Sequence, residues 1–340
     1  MKKFLLPENG NFYKVNMHSH STLSDGKQSP EELKKFYSEH GYSAIAFTEH
    51  GKLHDVSYLT DDKFLAIKSY ELDMSDKSKP ANALYEGTPV TWQHWNVIHM
   101  NLYAKDPSIT ETIDISDLRA EFSNANINEA IRRANEAGFF VIYNHPHWSL
   151  NDYTLYSELE GVRGLEITNG AAFRSSDMDY TPHVCDQMSR LGKRLICVGG
   201  DDNHDTKHFF QAWTMVKAEE LTHNAILGAI EAGHCYASQG PEIYELYVED
   251  NNVHVKCSDA VGIFYTSSGR RKCAELDMTY ENPVNEAVFP IDPTDIYFRI
   301  TVRDARGRRA NTGVFWLDEI YDDYSIEETI SQIRKSKESK

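Results

Sequence analysis

Cysteine is scarce and unpatterned in this chain. There are five residues in 340 (Cys185, Cys197, Cys235, Cys257 and Cys273) and no C-x-x-C pair. An odd count without close spacing excludes a zinc knuckle and offers no disulfide frame, so the thiols read as reduced, intracellular ones. Positive charge is also in short supply: 35 Lys and Arg face 52 Asp and Glu, a formal net charge of -17. A surface of that sign gives no electrostatic footprint for duplex nucleic acid or for an anionic membrane. No apolar run is long enough to span a bilayer. The opening MKKFLLPE has too short an apolar stretch for a secretory signal, so a cytoplasmic location is the expectation. Internal repeats and low-complexity linkers are missing too, which favours one large domain or a domain with an appendage. None of these patterns speaks to oligomeric state.

What the chain does hold is histidine, 15 residues of it, at positions that follow a rhythm. Short apolar runs end abruptly in polar residues able to ligate or titrate. Residues 12–17 lead into His18 and His20, 44–47 into Thr48-Glu49-His50, and 64–70 into Glu71. Residues 139–143 lead into Asn144-His145-Pro146, 164–168 into Asn169, and 195–199 into Asp201, Asp202 and His204. One run, 95–103, instead follows His94. Runs rich in Val, Ile and aromatics suit buried parallel strands. Helical stretches separate them: 30–40 after Ser29 as N-cap, 126–137 closed by Gly138, and 182–191 closed by Gly192. Alternation of this kind predicts an α/β fold, with reactive groups at the carboxyl ends of the strands. About seven such strands predict a closed or nearly closed barrel. After residue 235 the text changes to short alternating pieces with turns at 250–252 and 305–307, predicting a small antiparallel β-sandwich. The expected division is therefore 1–235 for the barrel, 236–322 for the β-sandwich and 323–340 for a charged helix or tail.

His18-Ser-His20 places two imidazoles on one side of an extended segment, because side chains alternate with period two. Ser24-Asp25-Gly26 adds a carboxylate in a turn that glycine makes tight. Together, HSHSTLSDG resembles the first motif of the PHP (polymerase and histidinol phosphatase) family. FTEHG resembles the second, with Glu49 where aspartate is commoner; Glu71 in KSYELD, NHPHW and GGDDNH resemble the remaining motifs. The match runs over about the first 205 residues, and AILGAIEAGHCYASQGPEIYEL resembles the junction of the subgroup with a C-terminal β-domain.

The resemblance implies a distorted (β/α)7 barrel and two or three divalent metal ions, with Mn, Fe and Zn all compatible with mixed imidazole and carboxylate ligands. It implies His18, His20, Glu71 and Asp202 around one ion, and Asp25, His50 and His204 around a second. Glu71, His94 and His145 would surround a third, His99 being the rival to His94. Glu71, Asp202 and His204 are expected to act in catalysis. The reaction implied is hydrolysis of a small phosphorylated metabolite or nucleotide by a hydroxide bridging two metals. A carboxylic or carbamate ester hydrolase and a non-catalytic PHP module are the alternatives. Arg174 is the expected phosphate cation, with Lys68 behind it. Asn169 is expected to orient substrate or a metal-bound water, a turn asparagine being the alternative, and His147 to serve as general acid or substrate ligand. Trp148 and Phe173 are expected to wall the pocket, and the long loop 74–92 to line or cover the site.

Overall fold

The computed structural model describes residues 2–82, 84–270, 272–277 and 279–338. The chain divides into two compact units: Asn9–Ala237, and Ser238–Lys340 together with Met1–Glu8.

The larger unit is a mixed α/β fold built on one run of paired strands. Its path runs Cys235–Ser238, Trp213–Ala218, Asn11–Asn16, Ala44–Phe47, Leu65–Pro80, Trp95–Ala104, Phe139–Tyr143, Gly164–Asn169, Ile196–Gly200. Two runs of parallel strands are present, Asn11–Asn16 to Leu65–Pro80 and Phe139–Tyr143 to Ile196–Gly200. Between them Trp95–Ala104 is antiparallel to both neighbours, and Trp213–Ala218 is antiparallel to Asn11–Asn16. Of the expected closed or nearly closed barrel of parallel strands, two points are corrected: the sheet is not closed, and two of its strands run antiparallel. Among the described residues no backbone ladder joins Ile196–Gly200 to Trp213–Ala218. At that seam the Thr214 hydroxyl accepts from Gly199 N at 2.9 Å and donates to Gly199 O at 3.0 Å. A side chain thus satisfies the backbone groups that a ladder would otherwise pair.

Period-two alternation sorts the strand residues into two cores. Val15, Ala44, Ala46, Leu65, Ile67, Ile142 and Val198 pack on the inner side with Ile226 and Ile230 of the helix His223–Glu231. Ile45, Phe47, Phe64 and Ala66 point the other way, onto Leu33 and Tyr37 of the helix Pro30–Glu39. That helix starts with a capping box: Ser29 Oγ accepts from Glu32 N at 3.2 Å and Glu32 Oε2 accepts from Ser29 N at 2.8 Å. Such a cap is worth about 1 kcal/mol.

The smaller unit holds two antiparallel sheets. One orders Lys3–Phe4, Ile243–Glu249, Asn252–Ala260 and Val284–Pro290. The other orders Lys272–Leu276, Gly262–Ser267, Tyr297–Arg303 and Arg309–Thr312. The turn at 250–252 has Asp250 and Asn251 at φ 49° and 58°, the left-handed conformation a tight hairpin needs. A helix, Ile326–Glu338, follows. No helix among the described residues is long and apolar enough to cross a membrane.

Candidate metal centre

The site stands where the strands of the larger unit reach their polar ends. His18 and His20 follow Asn11–Asn16, His50 follows Ala44–Phe47, and Glu71 lies within Leu65–Pro80. His145 follows Phe139–Tyr143, and Asp202 and His204 follow Ile196–Gly200. Two of these residues have left-handed backbone, His145 at φ 22° and Asp202 at φ 49°. That conformation is uncommon outside glycine and is held here by neighbours: Asp202 N donates to His18 O at 2.8 Å, and His145 N donates to Glu166 Oε2 at 3.2 Å. The strand end bearing Asp202 passes so close to His18 that a Cβ on Gly200 would lie 2.5 Å from His18 Cβ. Only glycine fits there.

Glu71, buried, is the hub. Its carboxylate lies 3.1 Å from His50 Nδ1, 3.1 Å from His99 Nδ1 and 3.3 Å from His18 Nε2. His145 Nε2 at 3.4 Å and His20 Nε2 at 3.5 Å complete the ring of imidazoles. Asn144 Nδ2 donates to Glu71 Oε1 at 2.8 Å. Asp202 Oδ1 is 3.0 Å from His20 Nε2 and 3.3 Å from His18 Nε2. Asp25 lies 3.4 Å from His204 Nε2 and 3.6 Å from His50 Nε2.

Burial and charge compete at each group. Burial would lower His18, but the carboxylates of Asp202, Glu166 and Glu71 outweigh it and raise its pKa. For His20 burial wins and the pKa falls. Burial opposes the charged form of His50 and His204 too, yet Glu71 on the former and Asp25 on the latter push each up to about 9. Burial would raise Glu71 and Asp202, but the surrounding imidazoles hold both carboxyls well below the usual carboxylate range. Asp25 is brought down to about 2 against its burial, chiefly by His204.

These ligand atoms fall into overlapping sets whose members lie within 4.8 Å of one another: His20, Asp25, His50 and His204; His18, His145 and Asp202; His18, His20 and Glu71; Glu71, His99 and His145. His18 Nε2 and His20 Nε2 stand 3.2 Å apart. Two imidazole nitrogens that face each other beside carboxylates leave room for a cation between them. Among the described residues, His20 Nδ1 is buried without a hydrogen-bond partner. Nitrogen and oxygen donors with no thiolate suit divalent first-row ions. The residues present therefore fit a centre of divalent metals.

His94 stands outside it. It ends a short 3-10 turn, Trp92–His94, where its Nδ1 pairs with Thr91 Oγ1 at 2.9 Å, and it belongs to none of the ligand sets. His99 is the histidine at the centre. Trp95–Ala104 runs antiparallel, so it enters at the polar end and carries its site residue in mid-strand, with His99 opposite Asp73 and Asn101 opposite Glu71.

A cavity of about 320 Å³ opens over the centre, walled also by Trp148, Ala171, Ala172, Ser175 and His208. Arg174 and Phe173 are exposed and outside that wall. They share the helix Gly170–Ser176 with Ala171, Ala172 and Ser175, and helical spacing turns 173 and 174 away from the face that 171, 172 and 175 present. His147 is exposed and also off the wall, because the turn after His145 directs Trp148 to it instead. Lys68 donates to Pro107 O at 2.6 Å, away from the cavity. The stretch 74–92 contributes no described wall residue, and its first part, up to Pro80, extends the strand Leu65–Pro80. Asn169 does reach the centre: its amide donates to Asp202 Oδ2 at 3.1 Å and to Glu166 Oε2 at 2.9 Å. Its Oδ1 caps the helix Gly170–Ser176 by accepting from Ala172 N at 2.8 Å.

Three acidic residues around the centre have roles not read from the sequence. Glu166 lies 3.0 Å from His18 Nδ1; the signal was a glutamate amid a fully buried strand. Asp201, beside Asp202, accepts from the backbone N of Phe210, Gln211 and Ala212 and from Tyr37 Oη, and burial pushes it up to about 6. It braces the loop and does not face the cavity. Glu49 accepts from Ser21 N at 3.0 Å and from the hydroxyls of Ser21 and Ser24, so it ties down the turn that carries Asp25.

Residues 16–106 match the family model of the PHP domain. No curated protein matches the sequence. Among solved structures, similarity extends to a two-domain protein from Bacteroides vulgatus named as containing a predicted PHP-like metal-dependent phosphoesterase. It is 17% identical over 92% of this chain and 90% of that one, with a TM-score of 0.45. A protein from Bifidobacterium adolescentis, named as a candidate metal-dependent phosphoesterase, is 13% identical over 58% of this chain and 90% of that one, TM-score 0.36. An amidohydrolase from Chromobacterium violaceum, with bound sulfate and no metal, is 14% identical over 56% and 88%, TM-score 0.38. Likeness at this level says nothing about the reaction.

Proposed function

We propose that this chain, which belongs to the PHP domain family through residues 16–106, is a metal-dependent phosphoesterase acting on a small phosphorylated metabolite or nucleotide. The observation that carries the reading is the charge of the cavity. Its described wall has three carboxylates (Asp25, Glu71 and Asp202) and no Lys or Arg. With neither Lys nor Arg on that wall, a phosphate would be met by cations bound among the carboxylates and imidazoles, and the overlapping ligand sets are suited to hold them. His18, His20, Glu71 and Asp202 would hold one ion, Asp25, His50 and His204 a second, and Glu71, His99 and His145 a third. Bound ions would supply an activated water and neutralise charge on the phosphate.

The chain's own part is to prepare and enclose that site. Glu71 and Asp202 stay ionised because imidazoles surround them. Asn144 and Asn169 orient those carboxylates through their amides. Trp148, with its ring 5.2 Å from that of His145 and 6.0 Å from that of His99, forms an apolar side of the cavity. A volume of about 320 Å³ suits a small ester.

The test is bound metal per chain by elemental analysis, on protein purified without chelator, beside a phosphoester panel and an aryl ester in added manganese. Two or three ions with phosphate release are expected. Metal with cleavage of the aryl ester alone would replace the proposal by carbonyl-ester hydrolysis. No metal after reconstitution would refute it.

A further inference from the structure

We infer that Glu166 is a positioning residue that assembles one ligand set of the centre, His18 with His145 and Asp202, while the set His20–Asp25–His50–His204 forms without it. The inference rests on the reading of the cluster as a metal centre. Glu166 is 1% exposed within the strand Gly164–Asn169, where a carboxylate is costly unless both oxygens are engaged. Both are. One oxygen lies 3.0 Å from His18 Nδ1. The other accepts from His145 N at 3.2 Å and from Asn169 Nδ2 at 2.9 Å, and the same amide donates to Asp202 Oδ2 at 3.1 Å. The three groups that Glu166 reaches, directly or through Asn169, are thus the three members of one ligand set. No described hydrogen bond or ion pair joins it to Asp25, His50 or His204.

The physical consequence is directional. A carboxylate oxygen facing His18 Nδ1 keeps a proton on that nitrogen and leaves Nε2, 3.3 Å from both Glu71 and Asp202, as the nitrogen that would ligate. On its other side Glu166 holds the N–H of His145, whose φ of 22° is not a conformation the residue would keep unaided. One carboxylate therefore sets a ring on one strand end and a backbone on another. Partners of this kind tune a metal site without touching the ion.

Glu166→Gln tests this with the shape retained. An amide offers one acceptor oxygen where two are required, so in either orientation an NH2 group confronts a donor. Metal-stripped wild type and variant would be titrated with Mn2+ and Co2+ by calorimetry, with Co2+ absorption recorded and metal-free melting followed in parallel. The expected result is that the sites drawing on His18, Asp202 and His145 weaken roughly 10–100-fold, with an altered Co2+ spectrum. The site of Asp25, His50 and His204 should be unchanged, while metal-free melting falls by no more than the loss of the one buried pair with His18 explains. Glu166→Asp keeps the charge and both acceptors and should recover part of the lost affinity. Two outcomes overturn the inference while the metal-centre reading stands: all classes bind as in wild type, or all weaken together with a lowered melting temperature, the mark of a merely structural role. A wild type that takes up no ion overturns the reading beneath it.

Discussion

Replacing Glu71 by glutamine would keep the side chain's shape and its contact with Asn144 while removing the charge that five imidazoles face. In the metal-free protein at pH 6, His50 and His204 are protonated, since each is raised to about 9. His18 and His145 are raised as well. The sign follows from linkage. A raised histidine contributes stability that is full below its ordinary 6.5 and is lost as pH climbs through about 9. The lowered Glu71 contributes stability present above 4.5 and lost as pH falls through its depressed value. The two windows overlap at pH 6. Removing one partner of a buried ion pair costs about 3–5 kcal/mol. At roughly 2–4 °C per kcal/mol for a domain of this size, the melting temperature should drop by about 6–20 °C. At pH 10 His50, raised to about 9, has lost its charge and Glu71 that partner, so the difference should shrink. Melting curves of chelator-treated wild type and Glu71→Gln at the two pH values decide it. No drop at pH 6, or the same drop at both, would refute the reasoning.

Other perturbations separate the parts of the centre. His99→Ala should weaken metal binding by more than the roughly 10–100-fold that loss of an outer partner costs, and His94→Ala should leave it unchanged; metal affinity measured on both variants exposes the reverse. Because His50 and His204 are held near 9, metal uptake at pH 7.5 should release at least one proton per chain, and affinity should rise with pH up to about 9. Calorimetry in two buffers of different ionisation enthalpy reads that proton, and none released would contradict the assignment. Gly200→Ala sets a Cβ 2.6 Å from His18 N, so it should cost about 1–3 kcal/mol and lower the metal content. An alanine variant with wild-type melting and full metal would show that the close approach is not needed.

The gap between His94 and His99 shows where sequence reasoning reaches its limit. Polar residues at strand ends are legible while strands run parallel, because each strand delivers its carboxyl end to the same mouth. Trp95–Ala104 runs the other way, and nothing in QHWNVIHMN reports the sense of a strand. The loop expected at 74–92 begins only after Pro80 for a related reason: a strand of 16 residues, Leu65–Pro80, stays paired with its antiparallel neighbour well past Glu71. Arg174 was misplaced by helix phase, since which face of Gly170–Ser176 meets the cavity is decided by packing and not by composition.

By itself the sequence determined the alternation of strands and helices in the first part of the chain, the capped helix after Ser29, the antiparallel hairpins that begin at Ile243 and the kinds of side chain available to the centre. Those are consequences of local periodicity, turn chemistry and motif spacing. Only the tertiary structure decided which donors meet: that Glu71 gathers five imidazoles, that Glu166 stands behind His18, and that the sheet remains open at Thr214. Each of these depends on strand sense, register and backbone angles such as the φ of 22° at His145, which arise when segments distant in sequence pack against one another.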